Sequence, residues 1–123
     1  MEEYRTQALR YLENAAEVLG KEEWEKGAEF IWGALAEALK AVALSNDRLL
    51  RTHSELRRFA RELSKERQDP EISEAFARGE RLHSDFYESF LDPEDIAEDM
   101  EHIRRAVGKL LGLTETRSQA KQE

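Results

Sequence analysis

Apolar residues recur along the chain with a helical period almost from end to end. Over residues 2–19, Tyr4, Ala8, Tyr11, Leu12, Ala15, Val18 and Leu19 form one stripe, which predicts a first amphipathic helix. Gly20 is the expected left-handed stop. The stretch 22–44 is different. At about 100° per residue, Trp24, Gly27, Ala28, Ile31, Ala34, Leu35, Ala38, Leu39 and Val42 share one broad face, and Phe30, Trp32, Ala36, Ala41 and Ala43 spread onto its flanks. Only Lys26, Glu29, Gly33, Glu37 and Lys40 remain for a narrow polar strip. A helix apolar nearly all round is buried on more than one side, so this is the expected central helix. The link between the two is short enough to predict an antiparallel hairpin.

Ser45-Asn46-Asp47 reads as a turn, and Arg48-Leu49-Leu50-Arg51 as one further helical turn or an ordered loop. Thr52-His53-Ser54-Glu55 has the form of a capping box, opening a helix over 53–66 that buries Leu56, Phe59, Ala60 and Leu63. Asp69-Pro70-Glu71 and Asp92-Pro93-Glu94-Asp95 are two clean starts, each with an Asp cap and Pro at the first helical position. They predict helices over 70–90 and 93–111. Gly112 closes the last, and residues 113–123 are expected to form a disordered tail because apolar periodicity stops there. No segment alternates over strand length. The pattern predicts one all-α domain over residues 1–112, an antiparallel up-and-down bundle of four long helices with one additional short helix. The apolar excess on both flanks of 22–44 is more than a small bundle covers, which predicts a homodimer using part of that surface.

Composition narrows the chemistry. The chain has 123 residues, no Cys and a formal charge of −8. Disulfides, thiolate nucleophiles and zinc–thiolate sites are excluded, and a cytoplasmic location is expected. The acidic N-terminus is not a signal peptide. No apolar run reaches the roughly 18 residues of a membrane span, so no membrane partner is expected. The acidic balance argues against a general nucleic-acid binder, and no DNA partner is expected. Against that balance, Arg48, Arg51, Arg57, Arg58, Arg61, Lys65 and Arg67 cluster, and Arg57, Arg58, Arg61 and Lys65 share one helical face. That face reads either as solvated and paired within the helix, as in Arg58–Glu62, or as a patch for a phosphate or an acidic partner.

His83 lies near the centre of the fourth stripe (Ile72, Ala75, Phe76, Gly79, Leu82, Phe86, Phe90), with Glu80 and Tyr87 on the stripe's edges as candidate partners. It reads as a core histidine with a satisfied hydrogen bond, or as a site residue facing a cleft or a dimer seam. Gly79 beside it allows close approach of another backbone. Glu80-Arg-Leu-His83 also has the Glu-x-x-His spacing of di-iron bundles, but the second copy is missing: Asp99-Met-Glu-His102 places His102 off its stripe. No metal site and no cofactor are therefore expected. There is no Gly-rich phosphate loop, nucleophile elbow or Ser–His–acid set.

Two stretches carry a family resemblance. Phe30-Ile-Trp-Gly-Ala-Leu-Ala-Glu-Ala-Leu-Lys-Ala41 and Leu82-His83-Ser-Asp-Phe86-Tyr87-Glu88 resemble the PaREP family of small helical proteins, over about residues 11–111. That family is similar in fold to the HEPN group of up-and-down four-helix bundles, which commonly dimerise. In HEPN ribonucleases an Arg and, four to six residues on, a His meet across a dimer, His serving acid–base chemistry and Arg holding phosphate. Here the resemblance implies two candidate pairs, Arg48 with His53 and Arg78 with His83. Leu49 and Gly79 stand where those enzymes have a polar residue after the Arg. On a regular helix Arg78 lies about 140° from His83, so the two do not converge within one chain. The leading expectation is a non-catalytic dimeric module binding a nucleotide, RNA or a protein partner, with Arg81, Tyr87, Glu80, Arg57, Arg58 and Arg61 as binding residues. The alternatives are a metal-independent ribonuclease using His83, Arg78, His53 and Arg48, and an antitoxin-type or stress accessory protein acting through its acidic surface.

Overall fold

A computed structural model describes residues 2–88 and 92–122, with the side chains of 85–88 and 115–122 excepted. It contains five helices: α1 (Glu2–Gly20), α2 (Trp24–Ser45), α3 (His53–Glu66), α4 (Pro70–Glu88) and α5 (Pro93–Gln122). There is no strand among the described residues.

The helix starts follow their local chemistry. The Thr52 hydroxyl accepts from the Glu55 N–H at 3.1 Å, and the Glu55 carboxylate accepts from the Arg51 N–H at 2.9 Å, one residue before the position a capping box uses. Asp69 accepts from the Glu71 N–H and Asp92 from the Asp95 N–H, both at 3.1 Å. The stops depart from expectation. Gly20 belongs to α1, and the left-handed residue after it is Glu22, with φ 61°. Asp47 and Gln68 play the same part after α2 and α3, with φ 60° and 53°. In each case paired backbone bonds close a Schellman turn, as in Glu22 N to Leu19 O and Glu23 N to Val18 O. Arg48-Leu49-Leu50-Arg51 is loop rather than a helical turn.

The largest departure is at the C-terminus. The helix does not close at Gly112, and α5 runs on to Gln122 where a disordered tail is expected. Gly112 keeps a negative φ, no proline follows, and Thr114 is fully buried with its hydroxyl donating to the Leu111 carbonyl at 2.7 Å. The stretch is rich in Glu, Arg, Gln, Ala and Lys, which propagate a helix without an apolar stripe.

α2 is the central element and contacts each of the other four helices. Leu35, Leu39, Ile72, Leu82, Ile103, Val107 and Leu110 are fully buried around it. α1 runs antiparallel to α2, with Leu19 against Gly27 and Tyr11 against Gly33. α4 also runs antiparallel to α2, with His83 at Glu29 and Phe76 at Trp32. Trp24 and Phe30 are partly buried against the core of their own chain, and among the described residues the exposed large hydrophobics are Leu9 on α1 and Leu49 in the loop. The short α3 supplies cover over Trp32 that a count of the long helices alone omits. No helix of the described residues is long and apolar enough to cross a membrane.

Candidate functional site

The side chains with chemistry gather around Trp32, in the middle of α2. Its indole is buried, and Gly79 of α4 is what lets it lie there: a Cβ at position 79 would fall 2.6 Å from indole Cε3. The close approach expected at Gly79 is therefore made by a side chain rather than by another backbone. His83 stacks on the indole with ring centroids 5.6 Å apart and planes inclined by 26°. His53, at the start of α3, lies 5.4 Å from the same ring. Phe76 meets the indole edge-on at 5.3 Å.

Each histidine is held by a carboxylate from another helix. His83 Nδ1 lies 2.8 Å from Glu29 Oε1 of α2, and His53 Nε2 lies 2.9 Å from Glu80 Oε2 of α4. Both imidazoles are partly exposed, with 37% and 44% of the side chain accessible. His83 is thus not a core residue at the centre of the α4 stripe. It stands on the rim, and the carboxylate it binds is Glu29 rather than Glu80. The Tyr87 side chain, the other expected partner, lies outside the described residues.

Glu80 turns away from His83 toward α3, where it also accepts from Arg57, Nε at 3.2 Å. Burial opposes ionisation of Glu80, but the hydrogen bonds from Arg57 and His53 outweigh it and hold the carboxyl below its ordinary range. Because Glu80 and His83 diverge, the Glu-x-x-His spacing does not assemble a ligand pair. Among the described residues no group of three or more His, Asp or Glu is placed to hold a metal ion.

Arg78, Arg81 and Arg48 do not join the histidines. Arg78 and Arg81 both bind Asp99 of α5: Arg78 Nη1 is 2.6 Å from Oδ1, and Arg81 makes a two-pronged contact at 2.6 and 3.1 Å. Asp99 is 1% exposed, so these cations neutralise a buried charge where α5 packs on α4. The hydrogen bond to Asp99 raises the Arg81 guanidinium above its ordinary range. Arg48 pairs with Glu62 at 2.7 Å and covers the Phe59 ring at 5.0 Å, while His53 leaves it for α4. Neither Arg-x4-His pair therefore converges within the chain. Of the α3 basic face, Arg57 is engaged by Glu80, and Arg58 and Arg61 are exposed without an ion pair among the described residues. The Arg58–Glu62 pairing gives way to Arg48–Glu62, because the loop before α3 folds back onto it.

A cleft of about 470 Å³ opens beside His83, between α1, α2 and α4. Tyr11, Phe30, Trp32 and Gly33 form its walls, with Lys26, Glu29 and His83 supplying polar groups. The Tyr11 and Phe30 rings pack 6.0 Å apart, and Gly33 makes room for Tyr11, since a Cβ there would lie 2.9 Å from its Cδ2. A larger surface trough near Arg48, about 690 Å³, has Phe59 as its aromatic residue and no histidine. Sequence reasoning missed Glu29, Lys26 and Asp99. The available signal for Glu29 was its place in the narrow polar strip of a helix otherwise buried.

The sequence profile of the archaeal PaREP1/PaREP8 family matches residues 3–107. The crystal structure of a protein from Sulfolobus solfataricus is similar in fold, with a TM-score of 0.77 at 22% identity, covering 87% of this chain and 95% of that one. No curated protein is significantly similar to the chain.

Proposed function

The chain belongs to the archaeal PaREP1/PaREP8 family, and from that premise we propose a non-catalytic homodimeric module, an up-and-down bundle of the HEPN type, that binds a nucleotide in the cleft between α1, α2 and α4. One observation carries the reading: Tyr11, Phe30 and Trp32 line a cleft of ligand size into which the His83–Glu29 pair and Lys26 also face. The partly exposed Tyr11 and Phe30 rings suit a nucleobase, and stacking on such rings contributes about 1–3 kcal/mol per base. Glu29 offers a carboxylate acceptor to a base edge, with His83 fixing its position, and Lys26 offers a cation to a phosphate. The fate of the arginines favours binding over cleavage, because Arg78 and Arg81 are spent on Asp99.

The test is calorimetric titration of the purified chain with the four ribonucleoside monophosphates and with short oligoribonucleotides, beside Lys26→Ala and His83→Ala. Saturable binding, weakened about tenfold or more in His83→Ala with the fold intact, is the expected result. Absence of binding by every nucleotide and oligonucleotide rejects the reading.

A second reading rests on the same histidine. A carboxylate on Nδ1 orients an imidazole for proton transfer, which suits a metal-independent ribonuclease. In that case Lys26 rather than Arg78 would hold the phosphate. Incubation with a mixed RNA pool, beside His83→Ala and His53→Ala, separates the two: cleavage lost in His83→Ala supports the enzyme, and intact RNA throughout leaves the binding module.

A further inference from the structure

We infer that a second copy of this chain docks along α1, with Leu9 of each protomer seated in a slot between α1, α2 and α5 of the other. The slot, about 190 Å³, is walled by Leu12, Ala16 and Leu19 of α1, Trp24 of α2, and Ala97 and Met100 of α5. It exists because α1 and α5 touch each other little while both pack on α2, and because alanines stand at its mouth. Leu9 is 47% exposed and is the exposed large hydrophobic residue of α1. It lies two turns from Ala16 on the same line of the helix. A knob and a hole on one line of one helix are self-complementary under a two-fold axis, which is the requirement of an isologous interface.

Charge complementarity fixes the direction of pairing. An antiparallel register that sets Leu9 opposite the partner's Ala16 brings Arg10 level with the partner's position 15. On that flank the partner's Glu13 and Glu17 lie on either side of it. All three are exposed, and among the described residues Glu17 is engaged by Lys21 at 3.8 Å. Tyr11 lies on the other flank of α1, against Gly33 and Phe30, so this pairing leaves the Trp32 cleft open.

The inference rests on the homodimer of the proposed function and assigns its surface. It is tested by light scattering and sedimentation of the full chain. The wild type is expected at twice 14.3 kDa, and Leu9→Glu, a surface change, at 14.3 kDa with unchanged helicity. Arg10→Glu is expected to weaken the dimer at least tenfold, and addition of Glu13→Arg and Glu17→Arg to restore it. A wild type that stays at 14.3 kDa at its highest soluble concentration overturns the pairing altogether. A dimer whose mass Leu9→Glu and Arg10→Glu leave unchanged overturns this surface while the homodimer stands.

Discussion

Trp32 lies directly against Gly79: a methyl group at position 79 would fall 2.6 Å from indole Cε3 and 2.9 Å from Cζ3. The contact joins α2 to α4 at the level of both histidines. Gly79→Ala must push a rigid, buried ring, and the added Cβ would also lie 3.3 Å from Leu35 Cδ2. Overpacking of this kind costs about 1–3 kcal/mol, even though alanine favours a helix. Urea denaturation checks the value, and an unchanged or higher midpoint would show that α4 shifts freely away from α2.

His83 binds Glu29 at 2.8 Å but sits on the rim of the fold. Because water reaches both groups, His83→Ala is expected to cost only about 0.5–1.5 kcal/mol, less than a core histidine would. The same change is expected to weaken nucleotide binding far more than it weakens the fold. Paired chemical denaturation and ligand titration check this. A loss of several kcal/mol would place the imidazole in a structural role.

Asp99 is the opposite case, a buried carboxylate held by two guanidinium groups. Asp99→Asn leaves Arg78 and Arg81 facing a neutral amide. Breaking a buried pair on one side costs about 3–5 kcal/mol, and the partial exposure of both arginines places this one near about 3 kcal/mol. The midpoint of thermal or urea unfolding reads it directly. A cost near zero would show that the arginines redirect to solvent.

Stability should fall in acid through Glu80. Its carboxyl is depressed below the ordinary 4.5, so the folded state binds fewer protons than the unfolded state. The contribution is fully present above about pH 4.5 and is lost as pH falls through the lower folded value. Glu71, depressed chiefly by its hydrogen bond from Lys109, acts in the same direction. Urea midpoints measured from about pH 7 to about pH 3 are expected to decline less steeply in Glu80→Gln than in the wild type. Identical slopes would show that Arg57 and His53 do not set this carboxyl.

Much of the fold was legible because helix formation here is local. Asp69-Pro70 and Asp92-Pro93 begin helices by capping their own first turns, Thr52 caps α3, and the near-continuous apolar run of α2 requires burial on several sides wherever it sits. These depend on residues within one turn of each other, and the chain alone determines them. Gly20 and Gly112 show the limit of the same reasoning. A glycine permits a left-handed stop without compelling one, and the turn after α1 puts Glu22 in that conformation while Gly112 stays helical.

The site was decided by tertiary structure. That His83 lies on a usable face of α4 follows from helical spacing. That its partner is Glu29, 54 residues away, follows from α2 and α4 packing antiparallel in a register set by Trp32 on Gly79. That Arg78 and Arg81 are unavailable follows from Asp99 being carried inward by α5. A helical period fixes which side chains share a face, but not which face of another helix arrives opposite. Partners of charged groups are chosen by that arrival, and with them the difference between an arginine that can hold a ligand and one that neutralises the core.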